Sequence, residues 1–312
     1  MADELLTAQE AADFLKLKKS TVYEMIKRGE LPSAKIGKQL RINRSDLEAL
    51  LPGGATRAEE PAPAPVLTPR RRVPEGGPNS VVLCGQDGCL DLIANYVTSS
   101  QGNGAVVLRS HAGSYNSLTM LYHGKVDIAT AHLWDEAGKD YNLSYIKALL
   151  PGLPTVAVRL FGRNTGIYVQ RGNPKHIKGL GDLRRRDVVL VNRERGSGTR
   201  ILLDEKLKAM GLPRKQVLGY EAEQTSHLGV ASAVARGEGD MGMGAEAAAR
   251  QVSGVEFLPL QREWYDMVFL AEREWEAPIR AVLDFVRSDT FVKELSQTDG
   301  YDLSQTGHVF RL

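Results

Sequence analysis

Residues 188–207 read VVLVNRERGSGTRILLDEKL. Four consecutive apolar or β-branched residues lead into a Gly-Ser-Gly-Thr turn, and an amphipathic run follows. The pattern is a buried strand, a tight loop and a helix. Such a loop points backbone N–H groups along the positive end of the helix, where an anion is favoured. Gly196 and Gly198 permit close approach of a ligand, Ser197 and Thr199 add hydroxyl donors, and Arg195 or Arg200 would add charge-assisted bonds. By itself the loop reads equally as a solvated helix cap. Its spacing excludes a Walker A loop, because no G-x4-G-K-[ST] occurs.

Outward from this stretch the same alternation recurs. Strands are expected at SVVLCG, AVVLRS, VDIATAHL, DVVLVNR, VLGY and GDMGMG. Helices are expected at CLDLIANYVTS, SLTMLYHG, TRILLDEKLKAMG, HLGVASAVARG and AEAAARQV. The run TVAVRLFGRNTGIYVQRG reads as two strands or as one long strand crossing between lobes. Strands alternating with short helices predict an α/β domain with mainly parallel sheet over residues 80–312. Loops of small polar residues recur at the strand ends, which makes Ser114, Thr165, Ser197, Thr199 and Ser226 the natural donors of a small-anion pocket.

Composition breaks once. Residues 52–79 are rich in Pro, Gly and Ala, without hydrophobic period, and read as a semi-rigid linker. Ahead of it lies a domain spanning residues 1–51. Thr7 with Glu10 forms a capping box opening a short helix, and a second helix carries Val22, Met25 and Ile26 inward until Gly29 stops it. AKIGKQLRI predicts a ribbon turning at Gly37 and Lys38, and RSDLEALL a closing helix. From Lys16 to Arg44 there are nine basic residues against two acids, Glu24 and Glu30. A helix pair followed by a basic ribbon is the layout of a small α+β winged helix-turn-helix domain. Its second helix would offer Lys19, Ser20, Thr21, Tyr23 and Lys27 to the major groove of double-stranded DNA. Lys35, Lys38, Gln39 and Arg41 would reach phosphates or a minor groove.

The chain has 312 residues, 42% of them hydrophobic and 25% charged, with a net charge of +2. These are the proportions of a globular protein. No apolar run approaches the ~20 residues needed to span a bilayer, and the acidic, amphipathic N-terminus lacks the pattern of a signal peptide. A cytoplasmic location without membrane partner is expected. Cys84 and Cys89 read as packing residues rather than a metal or redox pair. No G-x-S-x-G, H-E-x-x-H or paired-carboxylate motif occurs, so no enzymatic role, cofactor or resident metal is expected. The run Arg184–Arg186 reads as solvated surface. Arg70–Arg72, in the linker, read the same way unless they touch DNA phosphates.

LTAQEAADFLKLKKSTVYEMIKRGELPSAKIGKQLRINRSDLEALL resembles the excisionase-type winged helix-turn-helix domains, related to the MerR type. AGSYNSLTMLYHGKVDIATAHLWDEAGKDYN, RNTGIYVQRGNPKHIKGLGDL, VNRERGSGTRILLDEKL and GYEAEQTSHLGVASAVARGEGDMGMGAEAAA resemble the periplasmic-binding-protein-like (type II) domains. These are also found beside molybdopterin-biosynthesis proteins. The second resemblance implies two α/β lobes closing on a ligand, with tungstate or molybdate the favoured effector. Gln86, Asp87, His132, Gly198 and His227, at strand ends and helix starts, join the candidate contacts, and His227 reads equally as a helix cap. Cys84-Gly85-Gln86-Asp87 stands where many relatives have Gly-Ser-His-Asp, so the charge or size of the ligand is open to change. His132 reads either as a ligand contact or as a buried structural histidine, and Trp134 and Tyr265 either flank the cleft or fill core.

Together these readings predict a one-component transcriptional regulator that senses a small oxyanion. A single head reads few base pairs, so a homodimer or higher oligomer is expected. The alternatives are a sensor of an organic metabolite, or an architectural or excision accessory protein with a vestigial cleft.

Overall fold

A computed structural model describes residues 5–28, 31–36, 39–48, 79–100 and 104–312. The chain divides into two compact units, residues 1–68 and 69–312. The linker expected over 52–79 falls outside the described residues except for Asn79, as do Gly29, Gly37 and Lys38.

The first unit runs β1 (Leu5–Thr7), α1 (Ala8–Leu15), α2 (Lys19–Lys27), β2 (Ala34–Ile36), β3 (Gln39–Asn43) and α3 (Arg44–Glu48). The capping box forms as the sequence predicts. Thr7 Oγ1 accepts from the Glu10 amide at 3.3 Å, and Glu10 Oε2 accepts from the Thr7 amide at 2.7 Å. Helix α2 begins after N-cap Lys18, with no side-chain cap. Strand β1 adds a third member to the ribbon, pairing antiparallel with β3. Ala11, Ala12, Val22, Leu31, Ile42 and Leu47 form the core.

The second unit runs β4 (Ser80–Cys84), α4 (Cys89–Ser99), β5 (Val106–Ser110), α5 (Ser114–Tyr122), β6 (Ile128–Ala131), β7 (Trp134–Asp135), β8 (Asp140–Tyr141), α6 (Leu143–Leu149) and β9 (Thr155–Gln170). It continues through β10 (Leu190–Arg193), α7 (Gly198–Ala209), β11 (Glu223–Gln224), α8 (His227–Ala235), β12 (Met241–Ala245), α9 (Glu246–Arg250) and β13 (Val255–Leu270). Helices α10 (Ala277–Val286) and α11 (Asp289–Ser296) and strands β14 (Tyr301–Asp302) and β15 (Val309–Arg311) complete it. The main sheet has the order β11-β10-β12-β9-β13-β6-β4-β5. At each end the strands are parallel, β5-β4-β6 in the first lobe and β11-β10-β12 in the second. Between them β9 and β13 pair antiparallel over their length. The run of residues 155–170 is therefore one strand, and the sheet is mixed.

Sixteen residues at about 3.3 Å each make β9 and β13 roughly 50 Å long, enough to serve both lobes. Leu83, Phe161, Met267 and Phe291 belong to a core of the first lobe, and Leu190, Leu203, Leu207 and Met241 to one of the second. The VLGY segment is not a strand. Val217 and Tyr220 are buried in the second core, but the chain turns at Gly219 (φ +76°), where Ala222 N donates to Gly219 O at 2.8 Å. The edge strand comes slightly later, at Glu223–Gln224.

A buried ion pair also ties the long strands together. Arg159 Nε donates to Asp266 Oδ1 at 2.8 Å, and Asn142 Nδ2 donates to Asp266 Oδ2 at 2.8 Å. The Arg159 guanidinium also lies 4.6 Å from the Trp264 ring centroid. Removing one partner leaves a buried charge uncompensated. Asp266→Ala should therefore lower unfolding stability by about 3–5 kcal/mol, measured by urea denaturation of the full chain.

Candidate functional site

The loops that leave the strand ends meet between the lobes. Ser197 caps α7, its Oγ accepting from Arg200 N at 3.3 Å and donating to Glu194 O at 2.9 Å. Ser226 caps α8, accepting from Gly229 N at 2.9 Å. In the first lobe, the Ser114 hydroxyl accepts from His132 N at 3.1 Å, which fixes the start of α5 against the end of β6.

The lobes touch main chain to main chain. Tyr115 N donates to Gly196 O at 3.0 Å, and Asn116 Nδ2 donates to Arg195 O at 3.3 Å. A Cβ on Gly113 would fall 2.6 Å from Ser197 Cα, and one on Gly198 would fall 2.6 Å from the His132 ring. The first turns of α5 and α7 are thus pressed together. Gln86 adds a polar bridge, accepting from Arg193 Nη2 at 2.7 Å and donating to Thr225 O at 3.3 Å.

A chain of buried charges runs beneath this contact. Arg163 on β9 lies opposite Glu263 on β13, and its Nε donates to Glu263 Oε1 at 2.6 Å. Arg163 Nη1 reaches Asp87 Oδ2 at 2.5 Å, and Tyr301 donates to Asp87 Oδ1 at 2.8 Å. On the other side His132 Nδ1 lies 3.1 Å from Glu263 Oε2. Burial alone would raise the Glu263 pKa, but His132 and Arg163 hold its carboxyl down at about 2.

Beside the lobe contact a cleft of about 500 Å³ is lined by both lobes. Gln86, Asp87, His111 and Tyr301 come from the first lobe, Ser226, His227 and Ala248 from the second, and Arg163 from the strand between. His227 stands where the cleft meets the lobe contact, its ring centroid 6.4 Å from that of His132. Its Nδ1 accepts from Ala245 N at 3.3 Å. Desolvation, with the Arg193 and Arg163 charges behind it, pushes its pKa well below the ordinary 6.5.

A family model described as a PBP superfamily domain matches residues 97–287, and one described as a helix-turn-helix domain matches residues 5–52. The chain belongs to the PBP-like family. It is similar to the uncharacterized protein YvgK of Bacillus subtilis (strain 168), with 39% identity over 306 residues, 97% of this chain and 96% of that protein. A shorter relative, the uncharacterized protein in the ferredoxin 2Fe-2S gene 5'region of Clostridium pasteurianum, is 40% identical over 109 residues, 35% of this chain and 96% of its own length. The fold is shared with a putative phosphate ABC transporter substrate-binding protein with bound phosphate from Clostridium perfringens. That match has TM-score 0.54 and 15% identity, over 72% of this chain and 99% of that one. An ABC-type phosphate transport receptor from Vibrio cholerae matches with TM-score 0.50 and 13% identity, over 72% and 99%. Neither matched family is a catalytic one. Among the described residues no helix is long and apolar enough to cross a membrane, and no cluster of His, Cys, Asp and Glu is arranged to hold a metal ion.

In this PBP-like domain the residues expected at the ligand separate into three groups. Gln86, Asp87, Ser226 and His227 line the cleft. Ser114, His132, Thr165, Ser197, Gly198 and Thr199 are buried, all of them but Thr165 at the lobe contact or in the first turn of α7. Thr165 donates instead to Gly244 O at 3.2 Å on the neighbouring strand. Arg195 and Arg200 turn to acidic partners on the second lobe. Arg195 is 75% exposed at its side chain and pairs with Glu221, while Arg200 pairs with Glu223 at 3.0 Å and lies over the Tyr220 ring. Tyr265 stacks on His132 and Phe161 and is buried. Trp134 packs at the second core under Lys206.

In the head, Lys19, Ser20, Tyr23 and Lys27 are exposed on α2 and Thr21 is half-buried. Lys35 and Gln39 lie on β2 and β3, and Arg41 is half-buried on β3. Arg163, Glu263, Arg193, Tyr301 and Gly113 were not anticipated as parts of the site. Only the interrupted polarity of LFGRNTG hinted at the first.

Because the lobes meet at Gly113, Gly113→Ala should hold them apart. Small-angle scattering should show a larger radius of gyration than for Gly181→Ala, where nothing lies within 4 Å of an added Cβ. The pKa shift of His227 carries its own sign. The unfolded chain binds a proton near pH 6.5 and the folded chain does not, so stability falls as pH drops below 6.5. His227→Gln should flatten that decline in melting temperature between pH 6.5 and 5.

Proposed function

We propose that this protein is a ligand-responsive DNA-binding regulator, acting in the cytoplasm as a homodimer or higher oligomer, whose cleft domain senses a small anion. One observation carries the anion reading. Thr199 lies in the first turn of α7, is 2% exposed, and its hydroxyl has no hydrogen-bond partner among the described residues. A buried hydroxyl without a partner costs about 1–3 kcal/mol. Here it stands beside first-turn amides that have no acceptor within their own helix. The first turn of α5 faces the same place. An oxyanion would satisfy the Thr199 hydroxyl together with those first-turn amides that Gly196 O and Ser197 Oγ do not already accept from. Ser114, His132, Gly198 and Thr199 are the proposed contacts, with tungstate and molybdate first among bare oxyanions. The shared fold with a phosphate-bound protein supports an anion in kind.

The head supports the other half of the reading. With Val22 fully buried, α2 turns Lys19, Tyr23 and Lys27 outward at i, i+4 and i+8, one stripe along the helix. Two lysines flanking an aromatic ring on an exposed helix suit a groove bordered by phosphates.

A titration of the full chain on duplex DNA selected from a random pool, with and without tungstate or molybdate, tests both halves. Lys19→Ala with Lys27→Ala should weaken binding at least tenfold and reduce the salt slope by about two, at about 0.9 per lost phosphate contact. Either oxyanion should shift the DNA midpoint for the natural chain and not for Gly113→Ala. Unchanged affinity of the double variant would remove α2 from the DNA. An unmoved midpoint with both anions would remove them as effectors.

A further inference from the structure

We infer that the effector is an organic acid, with its anionic group against the first turns of α5 and α7 and an uncharged, hydroxyl-bearing body in the cleft beyond His227. The inference rests on the anion reading above and deepens it. Size is the first reason. A bare tetrahedral oxyanion has five heavy atoms and displaces about three waters, roughly 90 Å³ at about 30 Å³ each. The cleft alone offers about 500 Å³, inside the range of about 300–1,000 Å³ typical of sites for organic ligands.

Charge is the second reason. The cation that lines the cleft, Arg163, is already bound on both sides, by Asp87 at 2.5 Å and Glu263 at 2.6 Å. Behind it Arg193 is paired with Glu194 at 2.7 Å. A second negative charge on the ligand would lie against Asp87 with no free cation among these to balance it. The body that fits is therefore neutral.

The wall chemistry is the third. Uncharged hydrogen-bonding groups, among them Gln86, Ser226, Gln251 and Thr298, share the wall with the small aliphatic side chains of Ala247 and Ala248. Hydroxyls on a short carbon chain match that mixture, since each can donate or accept while its carbons cover the alanines. His227 stands between the two parts, since it lines the cleft and its ring lies 6.4 Å from that of His132 at the lobe contact.

The test compares headgroups with and without a body, by calorimetric titration of the full chain. Inorganic phosphate is set against glycerol 3-phosphate and glucose 6-phosphate, acetate against glycerate and gluconate, and molybdate and tungstate stand as bare references. At least one organic member should bind tenfold or more tighter than its bare headgroup and than either metal oxyanion. Ala247→Trp, placed at an exposed position on the cleft wall, should erase that gain so that organic and bare anions bind alike. If bare anions bind and no organic partner exceeds them, or the gain survives Ala247→Trp, this inference is overturned and the anion reading stands. If no anion of either kind binds, the anion reading falls and this inference with it.

Discussion

The pairing of Arg163 with Glu263 is the constraint on which the rest of the second unit depends. Each sits near the middle of a long strand, and strand register places them directly opposite. Burying two charges is costly, and a pair of this kind survives only with close geometry and further partners. Here those partners are Asp87 at one end and His132 at the other. Asp87 in turn accepts from Cys89 N at 2.9 Å at the start of α4. His132 holds Ser114 through its own amide. One cross-strand pair therefore positions the loop after β4, the start of α5 and the end of β6. Slipping either strand by one residue would turn these charges to the other face of the sheet.

The second lobe is brought to the first by different means. At the glycine contact its loop presents main chain and small side chains, with Glu194 alongside accepting from Gln86 Nε2 at 3.3 Å. Gly196, Ser197 and Gly198 approach Gly113 and His132 through main chain and small side chains. Gln86 adds a polar bridge, its uncharged amide meeting Arg193, Glu194 and Thr225, and farther along the contact Lys206 of α7 pairs with Glu136 at 2.8 Å beside Trp134. Where Gly113 meets Ser197 the touching groups are main chain and small side chains, and the charges that cross between the lobes lie to either side, at Glu194 and at the Lys206–Glu136 pair. The ions around Arg163 thus organise the first lobe, and the second is joined to it by main-chain contacts, side-chain amides and the Lys206–Glu136 pair.

Much of this was legible from the residues. The capping box at Thr7 and Glu10, the strand and helix around Gly196–Thr199, and the burial of residues 155–170 follow from local pattern, because caps and periodicity act over a few residues. The pairing of residues 163 and 263 is another matter. It depends on the register of two strands a hundred positions apart, which no local pattern carries. VLGY had the residues of a strand, but Gly219 turns the chain while Val217 and Tyr220 still find the core. Arg195 and Arg200 were read as anion ligands because an arginine in a loop looks the same whichever way it turns. Only the positions of Tyr220, Glu221 and Glu223 decide that these two face acids and a ring on their own lobe.

The division of donors between the lobes bears on how such a domain switches. A ligand shifts an equilibrium only by its difference in affinity for the two states. In a pocket built from lysines on one lobe, that difference would be small, since the charge attracts an anion whether the lobes meet or not. In the proposed site the donors come half from Ser114 and its neighbours and half from Gly198 and Thr199. The set is complete only where Gly113 touches Ser197. Parting the lobes removes half of the hydrogen bonds at a stroke, each worth about 1.5–3 kcal/mol to a charged group. Loss of two such bonds already approaches the ~5.5 kcal/mol that carries a two-state equilibrium from 1:99 to 99:1. In the proposed site, reliance on backbone and hydroxyl donors would make the lobe contact itself the element that a bound anion controls.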